Sequence, residues 1–123
     1  MFFKDLKNAD ALLNDDFEKD SYHLIIESKG KVLGTGRLTI SNSNVGIISQ
    51  MAVASEFQRN GVGKLIVKTL LKKCHEFAVE KVELSASITA LKFYKKLNFV
   101  PFGEVFASKK TGALHQKMCL ELK

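Results

Sequence analysis

Apolar and polar residues follow two different periods along this chain, and together they predict a mixed α/β fold. Residues 22–27 and 31–40 are apolar-rich stretches of strand length, and the Lys29-Gly30 turn signal between them predicts an antiparallel hairpin. Residues 45–53 are apolar enough to form a strand that is buried on both faces. Residues 64–79 instead carry apolar side chains at helical spacing, so we expect an amphipathic helix there.

The second half of the chain continues with elements of both periods. Residues 82–86 form a strand after the helix, which predicts a right-handed crossover between two parallel strands. Ser87 or Thr89 is placed to cap a second helix that runs to Leu97, and Asn98 suits the left-handed conformation that ends a helix. The pattern of residues 102–107 and 114–122 predicts a final hairpin. The order of elements therefore predicts an α/β sheet of mixed strand direction.

Composition limits the class of protein. The chain has 123 residues, of which 46% are apolar and 26% charged, which is typical of one soluble globular domain over residues 1–123. No apolar run reaches transmembrane length and the opening residues lack the layout of a signal peptide, so we expect no membrane partner. Cys74 and Cys119 lie in apolar patterns and predict free core thiols in a reducing, cytoplasmic compartment.

The formal net charge is +6, and such a surplus suits either a nucleic acid or a polyanionic cofactor. The lysines are spread along the chain and are not interleaved with aromatic residues, which disfavours a nucleic-acid platform. Three histidines and two cysteines lack the spacing of metal ligands, so no metal site is expected.

A glycine-containing turn, Gln58-Arg59-Asn60-Gly61-Val62-Gly63, lies between the third predicted strand and the first predicted helix. Such a turn directs several backbone N–H groups to one point, and the start of the helix adds a partial positive charge there. We therefore expect a phosphate or pyrophosphate site, although an ordinary strand-to-helix turn has the same outline. The spacing fits neither a nucleotide-triphosphatase loop nor a dinucleotide-binding loop.

Four segments together resemble the GNAT family of N-acetyltransferases. The motif Q-x-x-G-x-G after Met51-Ala52-Val53 is similar to the family's coenzyme A pyrophosphate loop, and residues 90–99 are similar to its A-x-x-F-Y-x-x-x-G-F segment. Residues 101–106 and 112–118 resemble the P-x-G-E-x-F and G-I-P-H-x-x-M segments of the bacterial ElaA/YjcF-like branch. The resemblance covers about residues 21–122 and implies a three-layer acyl-CoA N-acyltransferase fold.

By this resemblance the chain is an acetyl-CoA-dependent N-acetyltransferase that acts directly on a primary amine of a small molecule or protein. Tyr94 matches the family's tyrosine that donates a proton to the departing thiolate, although a core tyrosine in an amphipathic helix has the same pattern. The Val53 N–H would polarise the thioester carbonyl, and Ser87 would contact pantetheine directly or through water. The implied coenzyme A site consists of Met51, Ala52, Val53, Gln58, Arg59, Asn60, Gly61, Val62, Gly63, Lys64 and Ser87.

The resemblance places Glu104 and His115 at the cleft for the acceptor amine, but a hydrogen-bonded histidine in a strand fits His115 equally well. Ser49 and Gln50 stand where some relatives have a glutamate, so no general base is evident and water would deprotonate the amine. Two alternatives to an enzyme are open. One is a non-catalytic acyl-CoA-binding domain of the same fold, and the other is a basic nucleic-acid-binding module.

About 20 residues precede the first predicted hairpin, where the family has a strand and two helices. They have room for one helix or one edge strand, so the resemblance implies a fold that lacks part of this beginning. The apolar run Leu24-Ile25-Ile26 would then lie at an open sheet edge, which recruits a partner. Either residues 1–4 fold back to pair with this run or a second chain covers it, and we favour the homodimer.

Overall fold

The computed structural model describes residues 10–16, 21–41, 43–57 and 61–122, with the backbone alone for residues 10–16. These residues form one sheet of seven strands in the order β1-β2-β3-β4-β5-β7-β6, with helices that connect some of them. In chain order the elements are β1 Asp10–Asp16, β2 Ser21–Ser28, β3 Lys31–Ile40, β4 Val45–Val53, α1 Val62–Glu76, β5 Lys81–Ser87, α2 Leu91–Lys96, β6 Val100–Ala107 and β7 Leu114–Glu121. The β4–β5 pair is parallel and the other neighbouring pairs are antiparallel, so the predicted mixed sheet is confirmed.

The predicted helices exist, but their ends differ from the sequence pattern. The first helix ends at Glu76 and not at residue 79, because Ala78 adopts a left-handed backbone with φ of 55°. The segment before α2 begins as a 3-10 turn at Ile88–Ala90, and the Ser87 side chain makes no capping hydrogen bond. Asn98 has the predicted left-handed conformation, with φ of 74°, directly after α2.

The sheet edge next to β2 is covered by the chain itself. The strand β1 pairs with β2 along its whole length, from Asp10 opposite Glu27 to Asp16 opposite Ser21. An edge strand within the first 20 residues is therefore confirmed, whereas the predicted open edge at residues 24–26 is wrong. This pairing removes the open edge on which the homodimer prediction depended. The alternative that residues 1–4 fold back lies outside the described residues.

The hydrophobic core lies between one face of the sheet and the two helices. Successive residues of a strand point to opposite faces, so Leu38, Ile48 and Leu84 face the helices while their neighbours face away. We call the first side the helix face and the second the opposite face. On the helix face the sheet packs against Ile66 and Leu70 of α1. The described residues thus supply two layers, and a further layer on the opposite face is not among them.

The strand β3 approaches α1 so closely that Gly34 has no room for a side chain. An added Cβ would lie 2.9 Å from the Ala52 carbonyl oxygen and 2.9 Å from Cγ1 of Val62. Since a backbone oxygen cannot rotate away, we expect Gly34→Ala to lower the free energy of unfolding by about 1–3 kcal/mol, measured by chemical denaturation. Thr35→Ala on the opposite face is the control and should cost less than about 1 kcal/mol. Equal losses in the two variants would contradict this account of the packing.

Candidate active site

The parallel strands β4 and β5 pair over only part of their length. Their register begins with Val45 opposite Lys81 and ends with Ile48 opposite Leu84. Gln50 follows with φ of 52°, and the register between β3 and β4 shifts at this point, which is the geometry of a β-bulge. The remaining residues of β4 and β5 are therefore not paired with each other, and a cavity lies on each face of the sheet beside this gap.

The first cavity, which we call the helix-side cavity, has a volume of about 900 Å³. It is lined by Met51, Ala52, Val53, Gly61, Gly63, Lys64, Ser87, Thr89, Ala90, Phe93 and Tyr94. Apart from Thr89, Ala90 and Phe93, all of these are residues that the sequence predicts for the coenzyme A site or for the proton donor. Val62 does not line the cavity because its side chain is fully buried in the core. The predicted Gln58, Arg59 and Asn60 lie outside the described residues.

The start of α1 is built to receive an anion. Gly61 precedes the helix with φ of 87°, and the first helical hydrogen bond runs from the Leu65 N–H to the Gly61 carbonyl, 3.0 Å apart. The N–H groups before Leu65 consequently have no partner within the helix. Among the described residues no side chain caps this end, the first turn contains no acidic residue, and Lys64 is exposed beside it. A phosphate or pyrophosphate would meet N–H groups and positive charge here.

Gly63 leaves room for an anion to reach the N–H groups at the start of α1. A Cβ added at Gly63 would lie 3.2 Å from Cζ of Phe93, which is tighter than most contacts of real Cβ atoms. The ring of Phe93, half-buried, thus lies directly against the glycine backbone and joins α2 to the start of α1. Phe93 therefore packs against the core and also forms part of the wall of the helix-side cavity.

Tyr94 belongs to the core and also lines the helix-side cavity. It is 7% exposed, and its ring packs edge-to-face on Phe93, with centroids 4.9 Å apart, and on Phe99, 5.8 Å apart. Burial raises the pKa of Tyr94 above its ordinary value, so the phenol keeps its proton throughout the neutral range. The two sequence interpretations of Tyr94, core residue and proton donor, are therefore compatible in one side chain.

The end of β4 presents backbone groups to the gap. The Ala54 N–H donates to the Leu33 carbonyl oxygen, 2.8 Å away, so this N–H points toward β3. Because N–H groups alternate sides along a strand, the Val53 N–H points away from β3, to the side on which β5 lies. Ser87 stands across the gap, where its hydroxyl is 3.2 Å from that of Thr89.

The second cavity, which we call the opposite-face cavity, has a volume of about 660 Å³. It is lined by Ile47, Ile48, Ser49, Gln50, Glu83, Leu84, Ser85, Phe106, Ser108, Lys109, Lys110, His115 and Lys117. The register between β5 and β7 sets Ser87 opposite His115. Since Ser87 lines the helix-side cavity and His115 lines this one, the pair marks the boundary between the two spaces.

His115 has a defined tautomer when its ring is neutral. Its Nδ1 atom lies 3.0 Å from the Ala113 carbonyl oxygen, and a carbonyl oxygen can only accept, so Nδ1 carries the proton. The Nε2 atom of the neutral ring is then unprotonated and can accept a proton. The ring stacks on Phe106 with centroids 6.0 Å apart, which restricts its orientation.

Glu104 is not brought to either cavity. It is exposed on β6, within the stretch between Phe102 and Phe106 where the register with β7 is irregular. Gly103, with φ of 73°, precedes it and turns the strand. Conversely, Ser85 and Lys117 of the opposite-face cavity are missed by sequence reasoning. Alternation along a strand could predict the face of the sheet on which each residue lies. The register that makes the two residues neighbours could not be predicted from the sequence pattern.

Among the described residues, no group of three or more histidine, cysteine, aspartate or glutamate side chains could hold a metal ion. None of the helices described is long and apolar enough to cross a membrane.

A mixed sheet whose central parallel pair separates beside a glycine turn and a helix start has the architecture of an acyl-CoA N-acyltransferase. The chain matches the family model described as "Acetyltransferase (GNAT) domain" over residues 2–122. It therefore belongs to the GNAT acetyltransferase family.

Known relatives and folds are similar to this chain at low sequence identity. An uncharacterized N-acetyltransferase of Pyropia yezoensis, ycf52, is 26% identical over 95 residues, a match that covers 77% of this chain and 51% of that protein. The chain thus spans about half the length of the curated relatives it matches. Escherichia coli ElaA has a TM-score of 0.75 at 23% identity, with 88% of this chain and 73% of that chain covered. An acetyltransferase from Bacillus anthracis, solved with acetyl coenzyme A, has a TM-score of 0.72 at 16% identity, with 94% and 84% covered.

Proposed function

We propose that this chain transfers an acetyl group from acetyl-CoA to a primary amine. The observation that carries the proposal is the helix-side cavity, where the start of α1, a glycine backbone and a buried tyrosine border one space. Membership of the GNAT family supports acetyl-CoA as the donor. A protein with this fold was solved with acetyl coenzyme A, which supports it further.

In this proposal the donor lies along the helix-side cavity. Its pyrophosphate accepts hydrogen bonds from the N–H groups at the start of α1, and Lys64 adds a charge contact. The pantetheine arm follows residues 51–53 of β4, beyond the end of the β4–β5 pairing. The predicted contacts of Gln58, Arg59 and Asn60 would extend this site from the turn before the helix. Bound acetyl-CoA supplies the thioester at the gap in the sheet.

The acceptor amine occupies the opposite-face cavity and attacks the thioester carbonyl through the gap. The new C–N bond forms, the C–S bond breaks, and Tyr94 donates its proton to the departing thiolate. His115 lies at the boundary of the two cavities, and in its neutral form the Nε2 atom accepts the proton that the amine loses, directly or through water.

Transfer is direct and passes through no acyl-enzyme. The two cysteines are free thiols, and neither Cys74 nor Cys119 is among the residues that line the two cavities. Cys74 is buried in the core, and burial raises the pKa of its thiol to about 11, which suppresses the nucleophilic thiolate.

Acetyl-CoA should stabilise the folded chain. At a concentration 100 times the dissociation constant, linkage gives about 2.7 kcal/mol, and the thermal midpoint should rise by roughly 10 °C. Acetylpantetheine lacks the pyrophosphate and is the control, which should produce a much smaller shift at the same concentration. Melting curves that acetyl-CoA leaves unmoved would contradict the proposed site. A shift without amine-dependent thiol release would instead indicate the non-catalytic acyl-CoA-binding alternative.

A further inference from the structure

Three lysines line the opposite-face cavity. Lys109 and Lys110 lie on the turn between β6 and β7, and Lys117 lies on β7 itself. Within the part of the chain that the structure describes, none of these three lysines makes a salt bridge. The acidic residue of the cavity, Glu83, is 3.4 Å from the ammonium group of Lys81, which offsets its charge. The lining therefore carries a net positive charge that no side chain among the described residues neutralises.

The donor does not account for these lysines. The helix-side cavity, which would hold the pyrophosphate, is lined by Lys64 and by none of the three lysines above. Those three border a separate concave space, and a concave surface concentrates the field of the charges that line it. Such a field attracts an anionic molecule and repels a polycation. It also favours the neutral form of a bound amine over the ammonium form, and only the neutral form can attack a thioester.

We infer that the acceptor is a primary amine that also carries carboxylate groups, which Lys109, Lys110 and Lys117 bind while the amine lies near His115. This inference rests on the proposed function and names the acceptor class of the same site. The strand register allows one molecule to reach both groups. His115 is opposite Ser87 at the boundary with the helix-side cavity, and Lys117, the next residue of β7 on the same face, is opposite Ser85. A cavity of about 660 Å³ has the size of a small-molecule site.

The test compares three tripeptide amides with free N-terminal amines and side chains of different charge: Ser-Glu-Glu, Ser-Gln-Gln and Ser-Lys-Lys, the last with dimethylated lysine side chains so that each peptide has a single primary amine. Release of coenzyme A thiol is measured at saturating acetyl-CoA and low ionic strength. We expect kcat/KM for the Glu peptide to exceed that for the Gln peptide by roughly fivefold, as expected for two partly exposed charge pairs, with the Lys peptide lowest. Added salt should reduce this advantage because it screens exposed charges.

Variants of the lysines test whether the opposite-face cavity causes the preference for the Glu peptide. The double variant Lys109→Gln/Lys110→Gln and the single variant Lys117→Gln should each reduce the advantage of the Glu peptide. The KM for acetyl-CoA should stay nearly unchanged, because none of these lysines lines the helix-side cavity. Lys72→Gln is the matched control, because Lys72 is an exposed lysine of α1 that lines neither cavity, and it should leave the preference intact.

Two kinetic results would overturn the inference. One is equal efficiency with the three peptides at low salt, or a preference for the Lys peptide. The other is a rise in the KM for acetyl-CoA in the lysine variants, which would assign the lysines to the donor. If no amine releases thiol, the proposed function fails, and calorimetric titration with the N-acetylated peptides decides the inference separately. Tighter binding of the acetylated Glu peptide would support it, and equal binding would overturn it.

Discussion

Tyr94→Phe should lower kcat by roughly 10²–10⁴-fold while the affinity for acetyl-CoA stays nearly unchanged. The substitution removes one oxygen and its proton and keeps the ring that packs between Phe93 and Phe99. Ground-state contacts with the donor are retained, whereas departure of the thiolate loses its proton source. Steady-state thiol release with a good acceptor gives kcat, and the shift of the thermal midpoint with acetyl-CoA gives the affinity.

The other tyrosine provides a matched control for this prediction. Tyr22 stacks on Phe77 at 5.5 Å, lines neither cavity, and loses the same atoms in Tyr22→Phe. This variant should keep full turnover. Because burial raises the pKa of Tyr94, activity that depends on its proton should persist in the wild type to at least about pH 10. Wild-type turnover in Tyr94→Phe would reduce this residue to a packing role.

Gly63→Asp should abolish the stabilisation by acetyl-CoA, a loss of about 2.7 kcal/mol at a concentration 100 times the wild-type dissociation constant. The new carboxylate would stand in the first turn of α1, where the pyrophosphate is proposed to bind, and would repel it. In the absence of ligand the same carboxylate favours the helix, since a negative charge near a helix start stabilises it. The melting temperature with and without acetyl-CoA separates these two effects.

Gly63→Ala is the control for the volume of the side chain. It adds the same Cβ, 3.2 Å from Cζ of Phe93, without charge, so a reduced but measurable shift with acetyl-CoA should remain. If Gly63→Asp kept the full shift, the anion would not bind at the start of α1. If both variants lost the shift equally, the close packing against Phe93 and not the charge would explain the loss.

Local signals in the sequence predicted the elements and the position of the glycine turn. Periodicity placed α1 within a few residues, and Asn98 ended α2 in the left-handed conformation because its side chain tolerates that backbone. Within the first 20 residues the sequence left one helix and one edge strand as alternatives, and it did not predict the bounds of the strand, Asp10–Asp16. That strand forms through its pairing with β2, a long-range interaction that no local pattern encodes.

The candidate site also has one part that local sequence motifs predict and one part that depends on long-range strand pairing. Most residues of the helix-side cavity belong to two short motifs, and the spacing within those motifs was enough to predict them as parts of one site. The opposite-face cavity depends on which residues of β5 and β7 lie side by side, and that register is a property of the whole sheet. Glu104 was expected at the acceptor cleft together with His115, whereas the irregular pairing of β6 and β7 around Gly103 leaves it exposed.

Because the β4–β5 pairing ends early, the two substrates of the proposed enzyme have separate routes of entry and exit. In the proposed mechanism the donor and the acceptor enter from opposite sides of the sheet, so neither would have to pass the other on the way in. Free coenzyme A can depart on one side while the acetylated product is still bound on the other. A compound lodged in the opposite-face cavity would then block acetylation without displacing the nucleotide, which makes each entrance a separate target for inhibition.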